Sequence, residues 1–159
     1  MQKVKKFLPY IMCLFICFVF IQSLFFKFSN AAEPQYIFGT LNAWAASSFG
    51  IERLFLPPGI FNQYVIGGAE LVASIMLLIG LFASKRWLVG LGGLMATGIM
   101  SGAIFFHLFT PLGIVIESAE RGIESDGGSL FIMACIVWVF GLILALNRRE
   151  DILGLISKS

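Results

Sequence analysis

The chain has 159 residues, of which 58% are hydrophobic and only 13% are Asp, Glu, Lys or Arg. A soluble domain carries about a quarter charged residues, and the mean hydropathy of +0.93 points the same way, so a water-soluble enzyme is excluded. Disorder is excluded too, because it needs low hydrophobicity and high charge, and a net charge of +2 is too small to imply a nucleic-acid partner.

The first apolar run covers 7–26, with Lys3, Lys5 and Lys6 before it and Lys27 after it. Asn30-Ala31-Ala32 resembles the small-residue end of a signal peptide. The apolar run is longer than the 7–15 residues of a signal core, and Lys27 intervenes, so it reads as a retained span. Further runs follow at 60–84, interrupted only by Glu70, at 87–109 and at 129–146. A helix crosses the hydrocarbon with about 20 residues. The expectation is an all-α integral membrane four-helix bundle in one domain over 1–159, with outer loops at 27–59 and 110–128.

Within the first loop, Phe38, Leu41, Trp44, Ala45, Ser48 and Phe49 recur at near-helical spacing over 36–51. They predict a short helix in the outer interface, anchored by Trp44. Pro57-Pro58-Gly59 then breaks the chain. The second loop is polar and ends in Asp126-Gly127-Gly128. The turn at Lys85-Arg86 is so short that spans two and three must be antiparallel neighbours.

Loop charges orient the bundle. Lys3, Lys5, Lys6, Lys85, Arg86, Arg148, Arg149 and Lys158 fall on one side, and Lys27, Arg53 and Arg121 on the other. The positive-inside rule puts the first group, and both termini, in the cytoplasm. In span three, Gly93, Thr97 and Ser101 share one face and Gly98 and Gly102 a neighbouring one. Small residues let helices approach closely in lipid, which predicts packing within the bundle, with an oligomer contact as the alternative. Cys13, Cys17 and Cys135 lie in apolar runs without metal or redox spacing and read as buried small residues.

Polar groups at membrane depth carry whatever chemistry there is. A charge at the centre of a span costs about 2.5–3.5 kcal/mol. Glu70 lies ten residues past Ile60, about 15 Å down a helix. Gln63, Gly67 and Ser74 share its face. In the predicted orientation Lys27, at the end of span one, and His107, late in span three, fall at a similar level on the outer side. The candidate cluster is therefore Lys27, Glu70, His107, Gln63 and Ser74. A Lys27–Glu70 pair would keep both groups ionised, whereas a Glu70–His107 pair would move a proton. Either would hold the polar head of an amphipathic ligand such as a quinone or a lipid. The competing reading is structural, with Lys27 an interfacial anchor and His107 a hydrogen-bonded helix-end residue. A single histidine and unpaired cysteines predict no metal, and no motif for a covalently held cofactor or a nucleophile is present.

At these residues the chain resembles the DoxX family of small bacterial four-helix membrane proteins. The resemblance rests on Phe25-Phe26-Lys27-Phe28, on Gly67-Gly68-Ala69-Glu70-Leu71 running to Ile79-Gly80-Leu81, and on Met100-Ser101-Gly102-Ala103-Ile104-Phe105-Phe106-His107. It spans about 21–146, and the first outer loop and the acidic second one depart from the family pattern. The resemblance implies a bacterial cytoplasmic membrane protein. Some members of the family are named as a membrane subunit of a thiosulfate:quinone oxidoreductase. Others are linked to complexes with soluble redox enzymes, and eukaryotic relatives to membrane-protein assembly. The leading expectation is an accessory redox component that binds a quinone-like or lipid ligand at the outward-facing cluster, without catalysis of its own. A scaffold or assembly factor is the alternative, and a small proton-coupled transporter the third reading.

Overall fold

A computed structural model describes residues 2–156, with side chains over 7–154; Lys158, one of the orienting charges, lies outside the described residues. Six α-helices follow in order: α1 (Gln2–Phe28), α2 (Ala32–Phe49), α3 (Gln63–Phe82), α4 (Arg86–Phe109), α5 (Ser129–Asn147) and α6 (Arg149–Ile156). Of these, α1, α3, α4 and α5 are long and apolar enough to cross a membrane. Among the described residues there is no β-strand, only an isolated bridge between Ser118 and Ile123.

Local chemistry sets the helix ends. The second span starts at Gln63 rather than Ile60, because the Asn62 side chain caps α3 by accepting from the N–H groups of Tyr64 and Val65. Such a cap satisfies donors that a helix start leaves open. Between the first two long apolar helices a helix is present over the predicted stretch but begins earlier, at Ala32, because Pro34 is tolerated in a first turn. It ends at Gly50, whose φ of +67° is left-handed.

The spanning helices alternate in direction. Cys17 meets Ser74 and Lys27 meets Glu70, so α1 and α3 are antiparallel. Gly80 abuts Val89 and Gly92 abuts Leu77, so α3 and α4 are as well. Gly93 abuts Ala145, and Ser101 accepts from the Trp138 indole at 2.9 Å, which makes α4 and α5 the third such pair. Contact between α1 and α5 closes the bundle. The core runs through Cys13, Ile16, Phe20, Leu77, Val137 and Leu144.

The stripe of Gly93, Thr97 and Ser101 is thus used against α5. A Cβ on Gly141 would come within 2.7 Å of both the Gly93 carbonyl and Thr97 Oγ1, so neither helix has room for one there. Gly98, by contrast, faces open space.

One end of the bundle carries the start of α1, the 83–85 turn and α6. The other carries α2 and both long loops. Those loops build a second, smaller core in which Phe38, Leu41 and Ala45 of α2 pack with Phe55, Leu112, Ile116 and Ile123. Trp44 meets the Phe106 ring edge-on at 6.3 Å, tying α2 to the end of α4. The result is a cap over the end of the bundle that holds Lys27, Glu70 and His107.

Candidate functional site

Glu70 sits in the third turn of α3 with 2% of its surface exposed. A Cβ on Gly67, one turn earlier, would touch Phe28, Leu24 and the Lys27 stem at 3.2–3.5 Å. The missing side chain lets the Lys27 stem lie against α3 and brings its ammonium to the carboxylate. Lys27 Nζ donates to Glu70 Oε1 at 2.9 Å and to Oε2 at 2.8 Å. Ser23, one turn before Lys27 on α1, donates from Oγ to Glu70 Oε2 at 2.7 Å and accepts from Lys27 Nζ. Charge-assisted bonds of this kind are roughly twice as strong as neutral ones. Among the described residues this is the only ion pair.

Gln63 belongs to the next layer outward. Its Nε2 donates to the Lys27 carbonyl and to Asn30 Oδ1, both at 2.9 Å. Asn30 holds a φ of +57° in the turn between α1 and α2, a conformation Asn tolerates better than most residues. Ser74 lies one turn deeper. Its hydroxyl donates to the Glu70 carbonyl at 2.8 Å, not to the carboxylate, and its own carbonyl accepts from Cys17 Sγ at 3.6 Å.

His107 is not a partner of Glu70. Its Nδ1 lies 2.6 Å from the Gly113 carbonyl, and because a carbonyl only accepts, Nδ1 carries the proton and donates. The ring packs edge-on against Phe131 at 5.7 Å. The imidazole is held between the loop over 110–128 and α5. His107 therefore fastens α4 to that loop, and the shared level of Lys27, Glu70 and His107 does not translate into contact.

The loop has its own anchor in Asp126. Its Oδ1 accepts from Ile116 N–H at 2.7 Å and Gly128 N–H at 3.0 Å, and its Oδ2 from Leu130 N–H at 3.0 Å. Burial pushes the Asp126 carboxyl up, but these three N–H donors and the nearby His107 outweigh it and hold the pKa below the ordinary 3.8.

Sequence reasoning passed over Ser23, Asn30 and Asp126. Ser23 had a usable signal, since it lies four residues before Lys27 and so shares its face. Among the described residues no buried side-chain N or O atom lacks a hydrogen-bond partner, and no group of three His, Cys, Asp or Glu is placed to hold a metal. Two surface clefts are formed elsewhere. One of about 580 Å³ lies at the end bearing Arg86 and Arg148, and one of about 380 Å³ between Ser101, Phe105, Phe109 and Trp138. Neither is lined by Lys27, Glu70 or His107.

Comparison of the chain with protein-family models, with curated proteins and with solved structures finds no match.

Proposed function

We propose that the protein is a non-catalytic, multi-pass component of a bacterial cytoplasmic membrane that acts as a scaffold or assembly factor. In this reading Lys27 and Glu70 fasten the bundle rather than react. One observation carries it: every polar atom of the pair is bonded within the chain, through Ser23 and the mutual ion pair. A reaction centre needs a free group or an opening for substrate, and these side chains are 14% and 3% exposed. The resemblance to the DoxX family supports a place beside redox enzymes, as an accessory subunit. The basic residues at the end bearing the start of α1 and α6 favour an inward orientation for it, with α2 in the outer interface. There Phe49, Ile51, Ile60 and Phe61 are exposed apolar side chains suited to the headgroup layer.

A quinone-like or lipid ligand is the second reading. It draws on the apolar cleft between Ser101, Phe105, Phe109 and Trp138, which lies on the lipid-facing side of α4 and α5 and not at the ion pair.

Native mass spectrometry after mild extraction from native membranes tests both. The scaffold reading expects a protein partner at fixed stoichiometry and no retained quinone. A stoichiometric quinone that disappears in Glu70→Gln, with the fold intact, would overturn it. A quinone lost instead in Phe105→Ala/Trp138→Ala would establish the second reading.

A further inference from the structure

The end of the bundle away from the cap has a different character. Arg86 is the first residue of α4, Arg148 joins α5 to α6, and Arg149 is the first residue of α6. Gly90 brings them together. A Cβ there would collide with Arg148 Cβ and Ile152 Cδ1, both at 2.8 Å, so the α5–α6 junction seats directly on the first turns of α4. Arg86 lies one turn before Gly90, at the mouth of the resulting cleft.

All three guanidinium-bearing residues line this cleft of about 580 Å³, together with Asn147 and Leu146. Glu150 and Asp151 line it too. They lie in the first turn of α6, where negative charge complements the helix dipole. Neither forms an ion pair with an arginine, and among the described residues none of the three arginines has an ion-pair partner. Three guanidinium groups against two carboxylates leave the cleft one positive charge in excess, which an anion there would meet. The guanidinium fork matches phosphate oxygens bidentately.

Position selects the kind of anion. The apolar run of α4 begins at Trp87, next to Arg86, and that of α5 ends at Leu146, which is exposed at the rim of the cleft. In a chain that spans a membrane, this apolar-to-charged boundary is the level of the lipid phosphates. A phospholipid seated there places its phosphate among the arginines and its acyl chain along Leu146.

We propose that Arg86, Arg148 and Arg149 form a binding site for the phosphate headgroup of an anionic phospholipid. The inference needs the membrane-spanning reading but not the scaffold role, so the two fail separately.

The test is native mass spectrometry of the full chain, titrated with phosphatidylglycerol or with phosphatidylcholine, and with inorganic phosphate as competitor. The expected result is one phosphatidylglycerol per chain, retained at least about tenfold more tightly than phosphatidylcholine. Arg86→Gln/Arg149→Gln, both at exposed positions, should abolish that preference. Arg53→Gln/Arg121→Gln, at the capped end, should leave it unchanged. Circular dichroism confirms that each variant is folded, and Arg86→Gln alone, if the double variant is not, should still weaken the preference severalfold. Equal retention of the two lipids, or a preference untouched by the Arg86 and Arg149 changes, overturns the site. Displacement of the lipid by millimolar inorganic phosphate overturns the lipid as occupant in favour of a free phosphate.

Discussion

Replacing Lys27 by Met should destabilise the bundle more than replacing Glu70 by Gln, although each removes one half of the same ion pair. The asymmetry follows from where the two groups sit. Lys27 is the penultimate residue of α1, on a long stem, and its side chain is 14% exposed. In Glu70→Gln its ammonium keeps Ser23 Oγ and can swing outward to water. The loss is that of charge-assisted hydrogen bonds, which contribute about 1.5–3 kcal/mol, and snorkelling returns part of it. In Lys27→Met the carboxylate stays two turns inside α3, 3% exposed, with Ser23 Oγ as its one remaining side-chain donor. Stranding one member of a buried pair costs about 3–5 kcal/mol. The double variant removes both charges and leaves an amide that Ser23 can still serve, so it should be more stable than Lys27→Met alone. Equilibrium unfolding in mixed micelles across the four proteins measures the coupling directly. Losses that simply add in the double variant would refute the pairing, and a Glu70→Gln loss larger than that of Lys27→Met would refute the argument from depth.

Other outcomes follow from the same geometry. Gly141→Ala should cost about 1–3 kcal/mol by overpacking, because its Cβ would meet Thr97 and Gly93 at 2.7 Å, while Gly98→Ala should be neutral or slightly stabilising; thermal unfolding of the two in one detergent compares them. Asp126 has a folded-state pKa below its ordinary value, so its contribution is present above pH 3.8 and is lost as pH falls through the lower folded value. Hydrogen exchange in 110–128 should therefore accelerate below that pH in the native chain, and Asp126→Ala should be fast throughout, with α5 weakened by about 0.3–1 kcal/mol. Reporter fusions should place the C terminus inside and the Asn30 turn outside; an outward C terminus would overturn the orientation.

How much of this was legible in the sequence depended on the kind of contact. The four long apolar helices were legible because apolar runs of that length have few other uses, and the tight turn at Lys85-Arg86 leaves the two helices flanking it no arrangement but an antiparallel one. The side of α3 that carries Gln63, Gly67, Glu70 and Ser74 followed from helical spacing, and all four are buried. The partner of His107 did not follow, because it is the Gly113 carbonyl, and any residue offers a carbonyl. The cap core was partly hidden for a related reason. Phe38 and Leu41 announced an apolar helix face, but Phe55, Leu112, Ile116 and Ile123 lie in irregular chain with no period to read. In α6 the signal was present, with Glu150 and Asp151 in a first turn. The stretch is simply too short to stand out, and it holds its place through Ile152 against Gly90.

The two ends of the bundle use their polar groups in opposite ways. At the capped end Lys27, Glu70, Gln63, Asn30, His107 and Asp126 all bond to other parts of the chain, and each bond joins separate segments. Groups engaged in this way hold a shape, and releasing one for chemistry would leave its partner buried and unsatisfied, at a cost of about 1–3 kcal/mol. At the other end three arginines share a cleft with Glu150 and Asp151 and form no ion pair among the described residues. Groups placed like that cost little to engage, because no internal ion pair has to break first. The proposed phospholipid site therefore sits at the arginine end and not at the ion pair. The Lys27–Glu70 pair secures the arrangement of α1 and α3.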